Sequence, residues 1–448
     1  MFTQAYFSHY RQTIHLALPI IAGQLSQILI SLADNTMVGN FDSQSLAASA
    51  LANAIFWSIF IVGIGITLGL TPPVAASSVT GDIKTCQRYF KHGIVLYSSI
   101  GFFIFLFIVA ISFFLDNLGQ QPEVATLARP YLQILGGSAF FVLIFQSIKQ
   151  FMHGISHTKE PMYIEFGEAG LNVLLNYTFI FGNFGFPALG LLGAGIATIL
   201  SRMLGCIALV ILFVSSSRFA KYREGLEWKA FAFKDFKYLI KLGVPIGLSM
   251  LFETSAFAMS NVMMGWIGAD ELAAHQITLN VASTTFLVAM GISSATAVRT
   301  ANQLGLKNVV ELRMAGKAGM LINLVFMASC VLIISIFHNV IPMLYVKEVE
   351  VQKIASILLI VAALFQLSDG LQVACMGALR GITDVKVPTF ITLFAYWGIG
   401  IPLGYVLGFV LDIGAVGIWI SLFIALTIAA ILLTLRFLDK SKRIIQVA

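Results

Sequence analysis

Twelve stretches of this 448-residue chain are apolar over 18 residues or more, the length a helix needs to cross the hydrocarbon of a bilayer. They cover residues 15–39, 46–72, 92–115, 130–152, 161–182, 189–214, 239–264, 274–297, 318–341, 354–378, 388–410 and 414–435. The ten-residue alternation of polar and apolar positions that marks an outer-membrane barrel is absent. Lipid offers no partner to an unpaired backbone group, so each stretch is expected to be a helix. Charged residues make up 11% of the chain, against about 25% in soluble domains, too few to cover a water-facing surface.

Twelve spans place both termini and all even-numbered connections on one face. Of the 27 lysines and arginines, 22 fall on that face, seven of them in the central stretch 215–241 (Arg218, Lys221, Arg223, Lys229, Lys234, Lys237 and Lys241). Three, Arg129, Lys347 and Lys353, fall on the other; Lys149 and Arg202 lie within spans or at their ends. Basic residues stay on the cytoplasmic side, so both termini are expected in the cytoplasm of a bacterial inner membrane. The net charge of +6 follows from this bias and does not point to nucleic acid. The first 14 residues are too polar for a signal-peptide core, and the four cysteines show neither zinc nor disulfide spacing.

The second half repeats the first at an offset of about 226 residues. Leu18-Pro19-Ile20 matches Val244-Pro245-Ile246, Asn35 to Gly39 matches Asn261 to Gly265, and Leu46-Ala47-Ala48 matches Leu272-Ala273-Ala274. Gly154-Ile155-Ser156 matches Gly381-Ile382-Thr383, and Gly190 and Gly193 match Gly414 and Gly417. The expected architecture is therefore all-α and membrane-integral: two six-helix lobes related by a pseudo-two-fold axis along the membrane normal, with a cleft between them for substrate. The lobes are placed at 1–214 and 239–448, joined by a cytoplasmic linker at 215–238. Pro19 and Pro245 could kink the first helix of each lobe, and Gly190 to Gly195 could let helices approach closely.

A charge inside the bilayer costs roughly 2.5 kcal/mol or more and is a functional candidate by default. The acids within spans are Asp34, Glu165, Glu168, Glu253 and Asp369. Glu253 and Asp369 lie at similar depth, and their first-half counterparts are Gln27 and Val142. Symmetric packing does not require an acid pair in one lobe alone. Carboxylates suit a sodium ion or a proton. Asn172 and Asn176, one helical turn apart, are placed to hydrogen-bond Asp34 near the outer end of the first span. Glu165 and Glu168, early in the fifth span, are read as complements of the helix dipole. His275 is read as a packed, hydrogen-bonded histidine, and Arg380 as a loop residue that ties helices together.

Asp34-Asn35-Thr36-Met37-Val38-Gly39 resembles the first-helix signature of the multidrug-and-toxin-extrusion (MATE) family. Phe252-Glu253 with Ala273-Ala274-His275-Gln276 resembles the seventh-helix region of its NorM-like bacterial branch. Asp369-Gly370-Leu371-Gln372 with Gly377 to Gly381 is similar to its tenth helix and following loop. The resemblance covers nearly the whole chain. It implies antiport of amphipathic, often cationic drugs against sodium ions or protons by alternating access. It also implies a cation site at Glu253 and Asp369 and a cavity-facing acid at Asp34; Asn172, Asn176, Gln276 and Phe365 are candidate substrate or proton-relay positions. NorM-type proteins often carry a tyrosine where this chain has Phe365, so one polar contact is missing.

No nucleotide-binding or hydrolase motif is present, and neither enzymatic activity nor a cofactor beyond the coupling ion is expected. The expected partners are membrane lipid and small organic cations, with the protein acting as a monomer. The alternatives are a flippase for lipid-linked precursors, which would place more cationic residues in its cavity, and a membrane enzyme or receptor, which would work without an ion gradient.

Overall fold

The computed structural model describes residues 2–118, 121–228 and 231–447, and among them there is no strand. Lys229, assigned above to the cytoplasmic face, lies outside the described residues. The apolar runs form α1 (Phe2–Phe41), α2 (Ser43–Thr67) continued by α3 (Thr71–Val79), α4 (Ile83–Ser112), α5 (Pro122–Gly154), α6 (Lys159–Phe181) and α7 (Leu191–Ser215). After the short α8 (Ala220–Arg223) come α9 (Phe233–Ile267), α10 (Ala269–Gly305), α11 (Val309–Phe337) and α12 (Val349–Gly381). The next span combines α13 (Lys386–Leu393) and α14 (Ile401–Tyr405) with π-helical turns at Phe394–Gly400 and Val406–Val410, and α15 (Ala415–Val447) closes the chain.

Eleven of the twelve spans are long and apolar enough to cross a membrane by length and composition. The twelfth, α6, is long enough but carries Glu165, Glu168, Asn172 and Asn176 along its length. The helices α1 and α9 run unbroken through Pro19 and Pro245. Pro72 and Pro73 fall where α2 gives way to α3; the matching stretch of the second half lies within the single helix α10.

The chain packs into two compact units, Ala22–Gly247 and Met1–Ile21 with Leu248–Ala448. The changeovers fall inside α1 and α9 and are 226 residues apart, the offset of the sequence repeat. In the first unit α5 is the central helix, packing against α2, α4 and α7; in the second, α12 packs against α10, α11 and α15. The initial segment of α1 is tied into the second unit by His9, which accepts a hydrogen bond from Arg299 at 2.7 Å and contacts Glu311 at 2.7 Å.

The repeat extends to turn chemistry. Gly81 and Lys307 both have positive φ, and the next residues, Asp82 and Asn308, cap α4 and α11 through side-chain oxygens. Ser156 and Thr383 also pair, at φ +64° and +60°. Gly154 packs against Thr71 and Val74, where a Cβ would lie 2.7 Å from Val74 Cγ1; Gly381 packs likewise against Ala297 and Thr300.

Backbones touch where side chains are missing. A Cβ on Gly193 would lie 2.4 Å from the carbonyl oxygen of Phe179, so the glycine-rich start of α7 packs directly on α6. Gly69 and Gly243 meet in the same way: a Cβ on Gly243 would lie 2.5 Å from the carbonyl oxygen of Ile66. Gly170 has nothing within 4 Å of such a Cβ. Gly243→Val is therefore expected to lower the melting temperature of the detergent-solubilised protein by several degrees, as overpacking costs about 1–3 kcal/mol. Gly170→Ala should leave it unchanged or raise it, since alanine is the better helix former by about 1 kcal/mol. Thermal denaturation followed by size-exclusion chromatography separates the two.

Candidate functional site

In the second unit the site forms where α9, α12 and the first π turn meet. Glu253 lies on α9, and its Oε1 accepts hydrogen bonds from the Tyr396 phenol at 3.1 Å and from Gln372 Nε2 at 3.4 Å. Gln372 Nε2 also lies 3.1 Å from the Tyr396 oxygen, so the three side chains form a closed ring of contacts. Asp369 sits one turn before Gln372 on α12, 3% exposed and in electrostatic reach of Glu253. Tyr396 is fully buried within the π-helical turn Phe394–Gly400. Its neighbour Trp397 donates from the indole to the Phe252 carbonyl at 3.1 Å, pinning that turn to α9 beside Glu253. Turns of this kind are rare and concentrate at functional sites.

Two carboxyls, a phenol and a carboxamide make an all-oxygen surround that suits a hard monovalent cation or a shared proton. No three His, Cys, Asp or Glu side chains gather into a metal cluster among the described residues. Behind the acids runs an aromatic wall. Phe257 lies 6.1 Å from both Tyr396 and Phe365, Phe365 5.6 Å from Trp419, and Trp419 donates to His275 Nδ1 at 3.0 Å. Phe365 is thus core, and the phenol that reaches Glu253 comes from Tyr396. Gln276 is exposed and bonds Asn261 at 2.9 Å, apart from the acids. Arg380 lies in the last turn of α12 and not in a loop.

In the first unit Asn176, on α6, donates to Asp34, on α1, and to Asn172 Oδ1 at 3.1 Å. Asn172 in turn contacts Ser201 on α7 at 3.4 Å. Both asparagines are fully buried, and Asn176 Oδ1 has no hydrogen-bond partner. Glu165 corrects the dipole reading: it sits in the second turn of α6, beyond the first turn where the dipole acts, and forms a buried ion pair with Lys149 of α5. Glu168 lies one turn further along, against Gly205.

Sequence reasoning missed Tyr396, Gln372 as a carboxylate partner, and the Lys149–Glu165 pair. A tyrosine in the middle of an apolar run and a lysine at the end of one were the available signals.

The MatE family model matches residues 19–178 and 245–406, one match in each half. The chain is 34% identical over 99% of its length to a probable multidrug resistance protein NorM of Xanthomonas campestris pv. campestris, covering 96% of that protein. It is also 34% identical to the protein of the same name in Rhizobium meliloti, over 98% of this chain and 95% of that one. The fold is that of a multidrug resistance MATE family transporter solved in an outward-facing conformation, with a TM-score of 0.90, 21% identity, and coverage of 98% of this chain and 97% of that one.

Tyr396→Phe keeps the aromatic wall and deletes the phenolic hydrogen bond to Glu253. A hydrogen bond to a charged group is worth about 1.5–3 kcal/mol, so apparent cation affinity should fall roughly tenfold or more with expression unchanged. Tryptophan fluorescence titrated with sodium and with pH measures the change, Trp397 and Trp419 lying beside the site.

Proposed function

The chain belongs to the MatE family and is a transporter, not an enzyme; on that footing we propose that it is a secondary active exporter of amphipathic, often cationic compounds, driven by exchange for sodium ions or protons. The relatives named as multidrug resistance proteins supply the substrate class. The observation that carries the coupling is the buried Glu253–Tyr396–Gln372 ring with Asp369 beside it, in a unit whose partner in the repeat has Gln27 and Val142 instead.

Two carboxyls in low-dielectric surroundings repel when both are ionised, so one cation or one proton stabilises the pair. Its binding and release are then linked to whichever conformation exposes the site, as antiport by alternating access requires. Asp34, held by Asn176, is the corresponding group of the first unit. The protein is read as a monomer in a bacterial inner membrane, with both termini in the cytoplasm and a six-helix lobe on either side of the basic stretch 215–238. The flippase reading is disfavoured, because Lys149 is neutralised by Glu165 and Arg202 lies in electrostatic reach of acids.

Glu253→Gln and Asp369→Asn should each leave membrane expression intact and abolish gradient-driven efflux of a fluorescent organic cation from vesicles. Asp34→Asn should impair efflux while sodium binding at the other site persists. Sodium and pH gradients imposed separately identify the coupling ion; unchanged gradient dependence in Glu253→Gln would remove the second-unit site from the mechanism.

Reporter fusions after Gly225 and Val310 should be active only on the cytoplasmic side, and one after Val346 only outside. An external reading at Gly225 contradicts the orientation.

A further inference from the structure

Along α6 the residues Glu165, Glu168, Asn172 and Asn176 recur at helical spacing on one face, a polar file about 16 Å long. Helix α1 lies alongside in register. A Cβ on Gly23 would sit 2.1 Å from Glu165 Oε2, Asp34 meets Asn176, and both intervals are eleven residues. From the other side α7 supplies Gly205 against Glu168 and Ser201 against Asn172. Between them on α7 stands Arg202, in electrostatic reach of both Glu168 and Asp34. Its guanidinium donates to Ser138 Oγ at 2.6 Å and lies 5.6 Å from the Phe56 ring centroid.

The charges do not cancel. Lys149 and Glu165 close on each other. That leaves two carboxyls, Asp34 and Glu168, with one guanidinium between them. The other titratable groups packed about the file are Tyr131 and His153 on α5 and Cys206 on α7, none of which brings a permanent charge. The buried Oδ1 of Asn176 is an unused acceptor beside Asp34. One carboxylate in excess and one spare oxygen ask for a single additional cation.

We propose that Arg202 is the resident counter-charge of the first-unit ion site, shared between Asp34 and Glu168, and that a proton or sodium ion arriving at Asp34 displaces it toward Glu168. No bond is made or broken in the protein. The arriving cation comes from water on one side of the membrane, neutralises Asp34 and is returned to water when the guanidinium moves back. Arg202 is thus a built-in competitor that keeps cation affinity low enough for release, and Glu168 is the alternative seat that lets it move. The anchor on Ser138 and the face of Phe56 hold the planar group between the two acids, a task for which a lysine ammonium is a poor substitute.

The inference rests on Asp34 handling the coupling ion, and the test separates the two. Purified Arg202→Gln, Arg202→Lys, Glu168→Gln and Asp34→Asn proteins are titrated with sodium and with pH, using thermal stabilisation as the readout. Ethidium efflux from vesicles is measured in parallel. All comparisons are made on Glu253→Gln for binding, so that the second-unit site is silent, and on the native background for transport. Arg202→Gln should bind the coupling cation about tenfold more tightly and turn over more slowly, because the competitor is gone. Glu168→Gln should bind it about tenfold more weakly, because the guanidinium has no second seat. The double variant should return toward native affinity, and Arg202→Lys should fall between native protein and Arg202→Gln. If Asp34→Asn abolishes cation dependence in the first unit and neither Glu168→Gln nor the arginine variants shift affinity, the shared-guanidinium arrangement is overturned while the Asp34 site stands. If Asp34→Asn itself changes nothing, both fail. Should Arg202→Gln not accumulate, Glu168→Gln decides alone: unchanged affinity in that variant overturns the proposal.

Discussion

Hydrocarbon cannot accept or donate a hydrogen bond, and that single fact governs the chain from its backbone to its charged side chains. It forces the spans into helices. It also means that an ionisable group placed at depth must bring its own partner. Glu165 has Lys149, Glu253 has Tyr396 and Gln372, and Asp34 has Asn176. The polar chemistry is therefore gathered into a few side-chain clusters, while most of each helix is free to be apolar. Breaking such a cluster from one side costs more than the cluster contributes when whole, because the remaining partner is left buried and unpaired.

The two units use one scaffold for different chemistry. Their turns match in detail, down to the side-chain caps at Asp82 and Asn308 and the left-handed residues at Ser156 and Thr383. The close approaches at Gly154 and Gly381 match as well. The acids do not. The first unit gathers its polar groups along α6, the second where α9 and α12 meet a π turn. Backbone geometry is constrained by packing and survives divergence; the polar positions answer to function and differ between the halves.

What could be read without coordinates follows the same division. Length and apolarity reveal the spans, including α6, whose polar residues leave it short of a composition threshold but not of helical length. Glu253, Asp369 and Asp34 were legible because a carboxyl in an apolar run is conspicuous. The Asp34–Asn176 contact was legible because helical spacing places Asn172 and Asn176 on one face. Tyr396 was not, since tyrosine is ordinary in an apolar helix and its direction depends on a π turn that no residue pattern announces. Glu165 was misassigned because a position early in a helix suggests the dipole, whereas its partner is supplied by Lys149, sixteen residues earlier on another helix.

The two π turns at Phe394–Gly400 and Val406–Val410 give the eleventh span a property that the others lack. A π turn reaches its hydrogen-bond partner one residue later than an α turn, so it stores one residue more than the regular ladder would use. The segment can give up or take in a residue by changing its winding, with both ends of the helix left in place. Loss of a single residue there, which elsewhere in a helix would rotate everything downstream, would instead relax the first turn to α-helix and swing the Tyr396 hydroxyl away from Glu253. The helix would survive and the site would not, which makes chain length within seven residues a determinant of ion handling in its own right.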